Sequence, residues 1–147
     1  WEIKKHIDYV SPEMHRAYQR DMAAIRIVAS GLKDSIGLYT TPKDGEYGQC
    51  RWWMELFGIG SLAERSFMSL SSGQQRLVLL ARAFVKDPEL LILDEPLHGL
   101  DEQNSQMVKE IINAFCLRSN KTLIMVTHYD EELPACITDT LVLKRNR

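Results

Sequence analysis

An apolar run followed by two acidic residues is the feature that most constrains what this chain can fold into. The run extends from Leu90 to Leu93 and leads directly into Asp94 and Glu95. A short apolar run without polar alternation is typical of a central strand in a parallel sheet, covered on both faces. Ligands of open α/β sheets bind at the carboxyl ends of such strands, so both acids are expected at a binding edge.

Two adjacent carboxylates at that edge suit phosphate chemistry with a divalent cation. One carboxylate can help to hold Mg²⁺, which keeps several waters and takes few protein ligands. The other can orient or deprotonate an attacking water. Two acids after a strand also occur in an ordinary solvated turn, and this stretch alone does not separate the two interpretations.

A helix is predicted ahead of this strand. Ser72 is its predicted N-cap, with Gln75 completing a capping box, and residues 86–88 end it because proline disfavours helix at the residue before it. The free N–H groups and partial positive charge of its N-terminus, beside Ser71 and Gly73, suit a phosphate. An ordinary capped helix is the alternative. The apolar positions at helical spacing are Leu77, Leu80, Ala81, Phe84 and Val85.

Four motifs in a fixed order resemble the nucleotide-binding domain of ATP-binding cassette (ABC) ATPases. Residues 70–74, which read Leu-Ser-Ser-Gly-Gln, resemble the signature motif, and residues 90–95 resemble the Walker B strand. Residues 98–101 resemble the D-loop, and His128, after a second apolar strand at 121–127, resembles the switch histidine.

The resemblance covers about residues 3–145 and implies a partial P-loop NTPase fold. That fold is an α/β domain, a mostly parallel sheet with flanking helices and an inserted helical subdomain. The implied divisions are a strand into the Q-loop at 1–12, a helical signature subdomain at 13–69, and the carboxyl part of the ATPase core at 70–147.

The same resemblance implies ATP hydrolysis with Mg²⁺ and roles for three residues. Glu95 is the implied general base, Asp94 helps to hold Mg²⁺, and His128 contacts the γ-phosphate and the attacking water. A lone histidine is usually structural, but one at a strand end beside an acidic strand end favours the functional interpretation.

ABC ATPases work as head-to-tail pairs, so a second nucleotide-binding domain is the implied partner, in the same chain or in a homodimer. Ser71, Ser72, Gly73 and Gln74 would close over ATP held by the opposite domain. Asp101 of the D-loop would couple the two sites, and it is also predicted to cap the following helix.

Two departures from the family pattern stand out. The sequence contains no Gly-x-x-x-x-Gly-Lys-Ser/Thr loop, whose backbone and lysine cradle phosphates. We therefore expect the carboxyl half of a nucleotide-binding domain, inactive and weak in ATP binding by itself. Pro12 stands where the family has the Q-loop glutamine, and Glu13 follows it as an oxygen ligand or as a solvated acid.

Periodicity and turn residues predict the remaining elements. Trp52 and Trp53 are assigned to the core rather than to an exposed surface that docks on membrane subunits. The predicted elements are a strand at 5–11, a helix over 13–33, a loop at 34–45, helices at 46–57 and 61–65, a helix after Asp101 buried through Met107, Val108, Ile111, Ile112 and Phe115, a short helix at 130–132 and a last strand at 140–144.

Composition narrows the setting of the protein. A net charge of −2 argues against a nucleic-acid partner. Cys50, Cys116 and Cys136 are widely spaced, which argues against a disulfide framework or a zinc site and fits a reducing cytosol. We expect a cytoplasmic protein, peripheral on the inner face of the cell membrane if it serves a transporter.

Three functions remain open from the sequence. The first is an ATPase that energises transport through permease subunits, with molybdate as the substrate implied by the resemblance. The second is a soluble ABC protein acting in regulation, translation or repair, and the third is a regulatory half-domain without catalysis. Split chromosome-maintenance ATPases would show flanking heptads, and none are visible.

Overall fold

A parallel three-stranded sheet forms the centre of the computed structural model, which describes residues 7–18, 21–33 and 44–144. Val10 lies opposite Leu93, and Leu93 lies opposite Met125, so all three strands end at the same edge. The predicted α/β fold with a parallel sheet is therefore confirmed. The strands, whose order in space follows the chain, are β1 (Ile7–Val10), β2 (Leu90–Asp94) and β3 (Thr122–Val126).

β2 is the middle strand of this sheet, as its apolar run predicted. One face of the sheet, which we call the covered face, carries Val10, Leu91 and Leu93, and all three are buried. Parallel strands cannot be joined by a tight turn, and here the connections between them contain the helices that bury this face.

The opposite face of the sheet is open, which contradicts the expectation that β2 is covered on both faces. We call it the bare face, and its apolar side chains are those of Tyr9, Ile92, Ile124 and Val126. Ile92 lies opposite both Tyr9 and Ile124, and Val126 lies opposite Asp94. Tyr9, Ile124 and Val126 are 44%, 49% and 46% exposed. The prediction that β2 is covered on both faces is wrong for the part of the chain that the structure describes, because the helices described there pack on the covered face only.

One helix is the centre of the helical packing. Three other helices and β1 contact α4 (Ser72–Val85), and every α4 residue from Arg76 to Val85 is buried. Lys86 caps its end as predicted, and Pro88 follows. The helices are α1 (Pro12–Ala17), α2 (Ala24–Ser30), α3 (Asp44–Leu56), α4 (Ser72–Val85) and α5 (Glu102–Cys116), with 3₁₀ turns at Gly31–Lys33, Gly60–Leu62, Phe67–Ser69 and Asp130–Glu132.

The single helix predicted over 13–33 is wrong, because the chain leaves the helix after α1. Tyr18 ends α1 with a ψ of 71°, and its fully buried ring carries a hydroxyl 3.2 Å from Ser30 Oγ on α2. Ala23 then forms an antiparallel bridge with Ser66, which uses backbone groups that a continuous helix would need. Tertiary contacts of Tyr18 and Ala23 thus interrupt the helix that the apolar spacing over 13–33 predicted.

Three neighbouring predictions have mixed outcomes. The helix predicted at 46–57 is confirmed as α3, which begins two residues earlier. Most of the loop predicted at 34–45 lies outside the described residues. The helix predicted at 61–65 is only a 3₁₀ turn, Gly60–Leu62.

The two tryptophans of α3 have different environments. Trp53 is half-buried, with its ring 5.5 Å from that of Phe84 and 6.4 Å from that of Phe57. Trp52 is 57% exposed and touches Trp53 edge to face. The assignment to the core is confirmed for Trp53 and wrong for Trp52, because consecutive helical residues point about 100° apart.

α5 confirms its predicted stripe, with Val108, Ile111, Ile112 and Phe115 buried and Met107 half-buried. The 3₁₀ turn Asp130–Glu132 matches the short helix predicted there. The strand predicted at 140–144 is wrong: Leu141 and Leu143 are 84% and 85% exposed, and this segment pairs with none of the described strands. A strand needs a neighbour for its backbone groups.

The turn after α4 is held at the surface by two cations. Arg118 Nη1 lies 2.5 Å from Asp87 Oδ1, and Lys121 Nζ lies 3.1 Å from the same oxygen.

Among the residues that the structure describes, no helix is long and apolar enough to span a membrane.

Candidate functional site

The predicted catalytic residues meet at the carboxyl edge of the sheet. Asp94 ends β2 opposite Val126, and the Glu95 N–H donates to the Val126 carbonyl at 2.8 Å, which extends the pairing by one residue. His128 follows β3 by two residues, and its Nε2 lies 2.6 Å from Glu95 Oε1. The parallel register therefore brings the acidic pair and the histidine together.

Glu95 is held in an uncommon backbone conformation. Its φ is +50°, in the left-handed region that residues other than glycine rarely adopt. Besides the bond to Val126, its carbonyl accepts from Arg76 Nη1 at 3.2 Å and from the His98 N–H at 3.3 Å. These hydrogen bonds offset the backbone cost, of order 1 kcal/mol or more, and fix the direction of the carboxylate.

Arg76 is a site residue that sequence reasoning missed. It lies on α4 with only 6% of its surface exposed, and burial lowers its pKa while the charge of Glu95 opposes that shift. A guanidinium can be buried at moderate cost when a carboxylate and a carbonyl face it. The signal was present: an arginine opens the long apolar run of α4, so it had to be buried with its neighbours.

Asp94 lies on the bare face, in register with Val126. Burial raises the pKa of its carboxyl. The negative charges of Glu95 and Glu13 raise this pKa further, and only His128 opposes them. Carboxylates that repel one another favour a divalent cation, which removes the repulsion.

The donor set fits Mg²⁺ bound mainly through water and phosphate. Asp94 offers one carboxylate, and no group of three or more His, Cys, Asp or Glu side chains among the described residues is arranged around a common ion. Mg²⁺ commonly uses one or two carboxylates together with substrate phosphates.

Glu13 follows the proline that replaces the Q-loop glutamine. Ser11 caps α1, Pro12 is its first residue, and exposed Glu13 lies in the first turn, 3.7 Å from Arg16. Its charge acts on Asp94. The geometry fits a proline-anchored turn with a solvated acid.

The predicted N-cap of the signature helix is wrong by one residue. Ser71, not Ser72, is the cap: its Oγ accepts from the Gln74 N–H at 3.2 Å, and Gln74 Oε1 accepts from the Ser71 N–H at 2.9 Å. Gln75 is unavailable because its amide group donates to the Phe67 carbonyl and lies 2.9 Å from His15 Nε2. Ser72 is therefore the first helical residue.

The signature residues lie beside the D-loop of the same chain. A Cβ on Gly73 would stand 3.5 Å from the Gly99 carbonyl oxygen and 3.8 Å from Leu100. Among the described residues, no hydrogen bond or ion pair joins residues 71–74 to Glu95 or His128. Ser71 and Ser72 are exposed, so the start of α4 offers its polar groups to solvent.

Asp101 caps α5, as predicted. Its Oδ1 accepts from the Asn104 N–H at 2.7 Å, and Asn104 Nδ2 donates to its Oδ2 at 3.3 Å. Gly99, at a φ of +81°, provides the turn before it. Asp101, the capping residue, is exposed at the surface.

Comparison with known proteins gives the same family. The model of the ABC transporter family matches residues 2–98. The chain is 43% identical over 142 residues to the ABC transporter ATP-binding protein ModF of Escherichia coli K12, covering 96% of this chain and 29% of that protein. It is 31% identical over 123 residues to the molybdate import ATP-binding protein MolC of Haemophilus influenzae, covering 84% of this chain and 49% of that protein.

A solved structure of a metal-chelate type ABC transporter in an inward-facing conformation superposes with a TM-score of 0.66 at 28% identity, covering 86% of this chain and 50% of that chain. The chain spans about half or less of the length of these relatives. The family match includes residues 70–74 and 90–95, which carry the signature-like and Walker B-like motifs. The chain therefore belongs to the ABC transporter ATP-binding family.

Proposed function

We propose that Glu95 is the general base of ATP hydrolysis in the intact protein. The observation that carries this proposal is the 2.6 Å contact between Glu95 Oε1 and His128 Nε2 at the carboxyl edge of the sheet. A carboxylate fixed through its backbone and oriented by an imidazole can accept a proton from water in line with a phosphate.

His128 contacts both the base and the substrate in this proposal. Its side chain is 76% exposed, whereas that of Glu95 is 25% exposed, so the imidazole reaches further into the solvent-filled edge. Its Nε2 would orient Glu95, and through that carboxylate the attacking water, while its Nδ1 would hydrogen-bond the γ-phosphate. Asp94 would hold Mg²⁺ from the bare face, and the bound ion would supply neutralisation of phosphate charge there.

The signature residues would serve a second ATP. Ser71, Ser72, Gly73 and Gln74 lie at the exposed start of α4, whose free N–H groups and partial positive charge attract phosphate. They would close on ATP held by another nucleotide-binding domain, in the same polypeptide or in a second copy. Asp101, next to that surface, would couple the two sites.

The phosphate-cradling loop would come from residues outside this sequence. The 147 residues contain no Gly-Lys dipeptide, and the bare face leaves room for further elements of the domain beside Asp94. The chain alone is therefore proposed to bind ATP weakly and not to hydrolyse it. Calorimetry with Mg²⁺-ATP should detect no saturable binding at micromolar nucleotide, and such binding would contradict this assignment.

The intact protein would use ATP to energise transport from the cytoplasmic side of a membrane. Its relatives carry names of ABC transporter ATP-binding proteins, and one is named for molybdate import. By analogy we propose permease subunits as partners and molybdate as the cargo.

The decisive test is Glu95→Gln in the full-length protein, because this change removes the base and keeps the shape. We expect ATP turnover to fall by about 100-fold or more while Mg²⁺-ATP binding is retained. Glu110→Gln, an exposed change on α5, is the matched control and should leave turnover unchanged. A loss of less than about tenfold in Glu95→Gln would refute Glu95 as the base.

A further inference from the structure

Two cysteines that are far apart in the sequence meet in the fold. Cys116 is the last residue of α5, and Cys136 lies in the segment that follows the 3₁₀ turn Asp130–Glu132. The Cys136 backbone is hydrogen-bonded to Asn113, three residues before Cys116 on α5, and the nearby Cys136 thiol contributes to the raised pKa of Cys116. Both cysteines are free and partly exposed. Their wide spacing in the sequence hid this pairing.

Their approach is set by one face of α5. Lys109, Asn113 and Cys116 are spaced by four and three residues, so they lie on the same side of the helix. Lys109 Nζ donates to the Glu131 carbonyl, and Asn113 Oδ1 accepts from the Cys136 N–H at 3.0 Å. These two contacts dock the segment 131–136 on α5 and bring Cys136 to the end of the helix that carries Cys116.

We propose that Cys116 and Cys136 are a redox-active pair that a small-molecule disulfide converts into an intramolecular disulfide. The bond would attach the segment that follows His128 covalently to α5. The pair is a modification site in its own right, and its chemistry does not depend on the proposed function.

The reaction balances as thiol–disulfide exchange. Burial and the neighbouring Cys136 raise the pKa of the Cys116 thiol to about 12, which disfavours Cys116 as the first nucleophile. Cys136 therefore attacks first, after losing its proton to solvent. Its sulfur bonds to one sulfur of the reagent and expels the other half as a thiolate, which takes a proton from solvent.

The second step closes the ring. Cys116 loses its proton to solvent, attacks the Cys136 sulfur and releases the second reagent thiol. The two cysteines are oxidised by two electrons, and the reagent disulfide is reduced to two thiols.

The disulfide would affect the residues on either side of His128. Thr127 Oγ1 donates to Glu132 Oε2 at 2.5 Å, so the residue before His128 is already linked to the segment 131–136 that docks on α5. A covalent bond at Cys136 would restrict the backbone on the carboxyl side of His128. Hydrogen exchange over residues 127–136 should therefore slow on oxidation.

The test treats the purified 147-residue chain with oxidised glutathione and maps the cross-linked peptides by mass spectrometry. We expect two of the three thiols to disappear, at a rate independent of protein concentration, and one peptide pair joined through Cys116 and Cys136. Reduced glutathione should restore both thiols. Cys50 is fully buried with a pKa raised to about 11, so Cys50→Ser should behave like the unmodified chain.

Cys116→Ser and Cys136→Ser should each abolish the internal cross-link. Cross-links through Cys50, cross-links between chains only, or mixed disulfides that never resolve would each overturn the proposal. Because the peptide map of the unmodified chain gives the answer by itself, a variant that folds poorly does not obscure it.

Discussion

The two faces of the sheet differ in what covers them, although their side chains are similar. The covered face buries Val10, Leu91 and Leu93 beneath the helices, while Ile124 and Val126 on the bare face remain about half exposed. Both faces are mainly apolar, so side-chain chemistry alone does not decide which is buried. The position of α4 does, because the covered face belongs to the same hydrophobic core as this helix.

This difference extends to the candidate site. Glu95 is supported from α4, where Arg76 donates to its carbonyl. Asp94 lies on the bare face, in register with Val126. The carboxyl edge of the sheet is thus supported by a helix on one side and open on the other, which suits the proposed site, completed by a nucleotide and by further protein.

The largest effect is expected for Leu93→Ala. Leu93 is fully buried on the covered face, so its truncation should lower the free energy of unfolding by about 2–5 kcal/mol in urea denaturation. Ile124→Ala on the bare face is the matched control and should cost less than about 1 kcal/mol. Equal losses would mean that the two faces are equally packed in solution.

An intermediate effect is expected for Arg76→Met, which keeps the length of the side chain and removes the donor to Glu95. The loss in free energy of unfolding should be about 1–3 kcal/mol, because a buried carbonyl loses a charged partner. Arg51→Met removes an exposed ion pair with Glu64 and should cost less than about 1 kcal/mol. A more stable Arg76→Met protein would show that burial of the charge outweighs its hydrogen bond.

The smallest effect is expected for Asp87→Asn, at the turn after α4. Hydrogen bonding to Arg118 holds the pKa of Asp87 below its usual range, with Lys121 adding to this shift. An acid with a lowered pKa stabilises the fold above the pKa of the unfolded chain, and this contribution is lost as pH falls through the folded pKa. Because the pair is about half exposed, the loss at neutral pH should be below about 1 kcal/mol.

The measurement is the difference in unfolding free energy between the unmodified chain and Asp87→Asn as a function of pH. This difference should shrink below about pH 4. A difference that stays constant down to low pH would show that the ion pairs of Asp87 do not contribute through its charge.

Local sequence was sufficient where periodicity and chemistry agree. The run Leu90–Asp94 predicted a parallel strand ending in acids, and the apolar spacing of Val108, Ile111 and Phe115 predicted the buried stripe of α5. The meeting of Glu95 and His128 is a finding of the structure, in which parallel β2 and β3 end at one edge of the sheet.

Predictions failed where a tertiary contact decided the outcome. Gln75 matched a capping box but is bonded to Phe67 and near His15, so the cap moved to Ser71. Tyr18 broke a helix that local propensity favoured, because its ring fills the core. Arg76 and the Cys116–Cys136 pair were missed because only the fold reveals their partners.

The parallel order of the strands also bears on how the chain folds. β2 pairs with β3 across a connection that is mostly one helix, whereas β1 pairs with β2 only after most of the helical residues have intervened. Each doubling of a loop adds roughly 0.6 kcal/mol of closure entropy, and contacts between distant residues slow folding. We therefore expect β2, α5 and β3 to assemble as an early unit, and β1 to complete the sheet once α4 has docked.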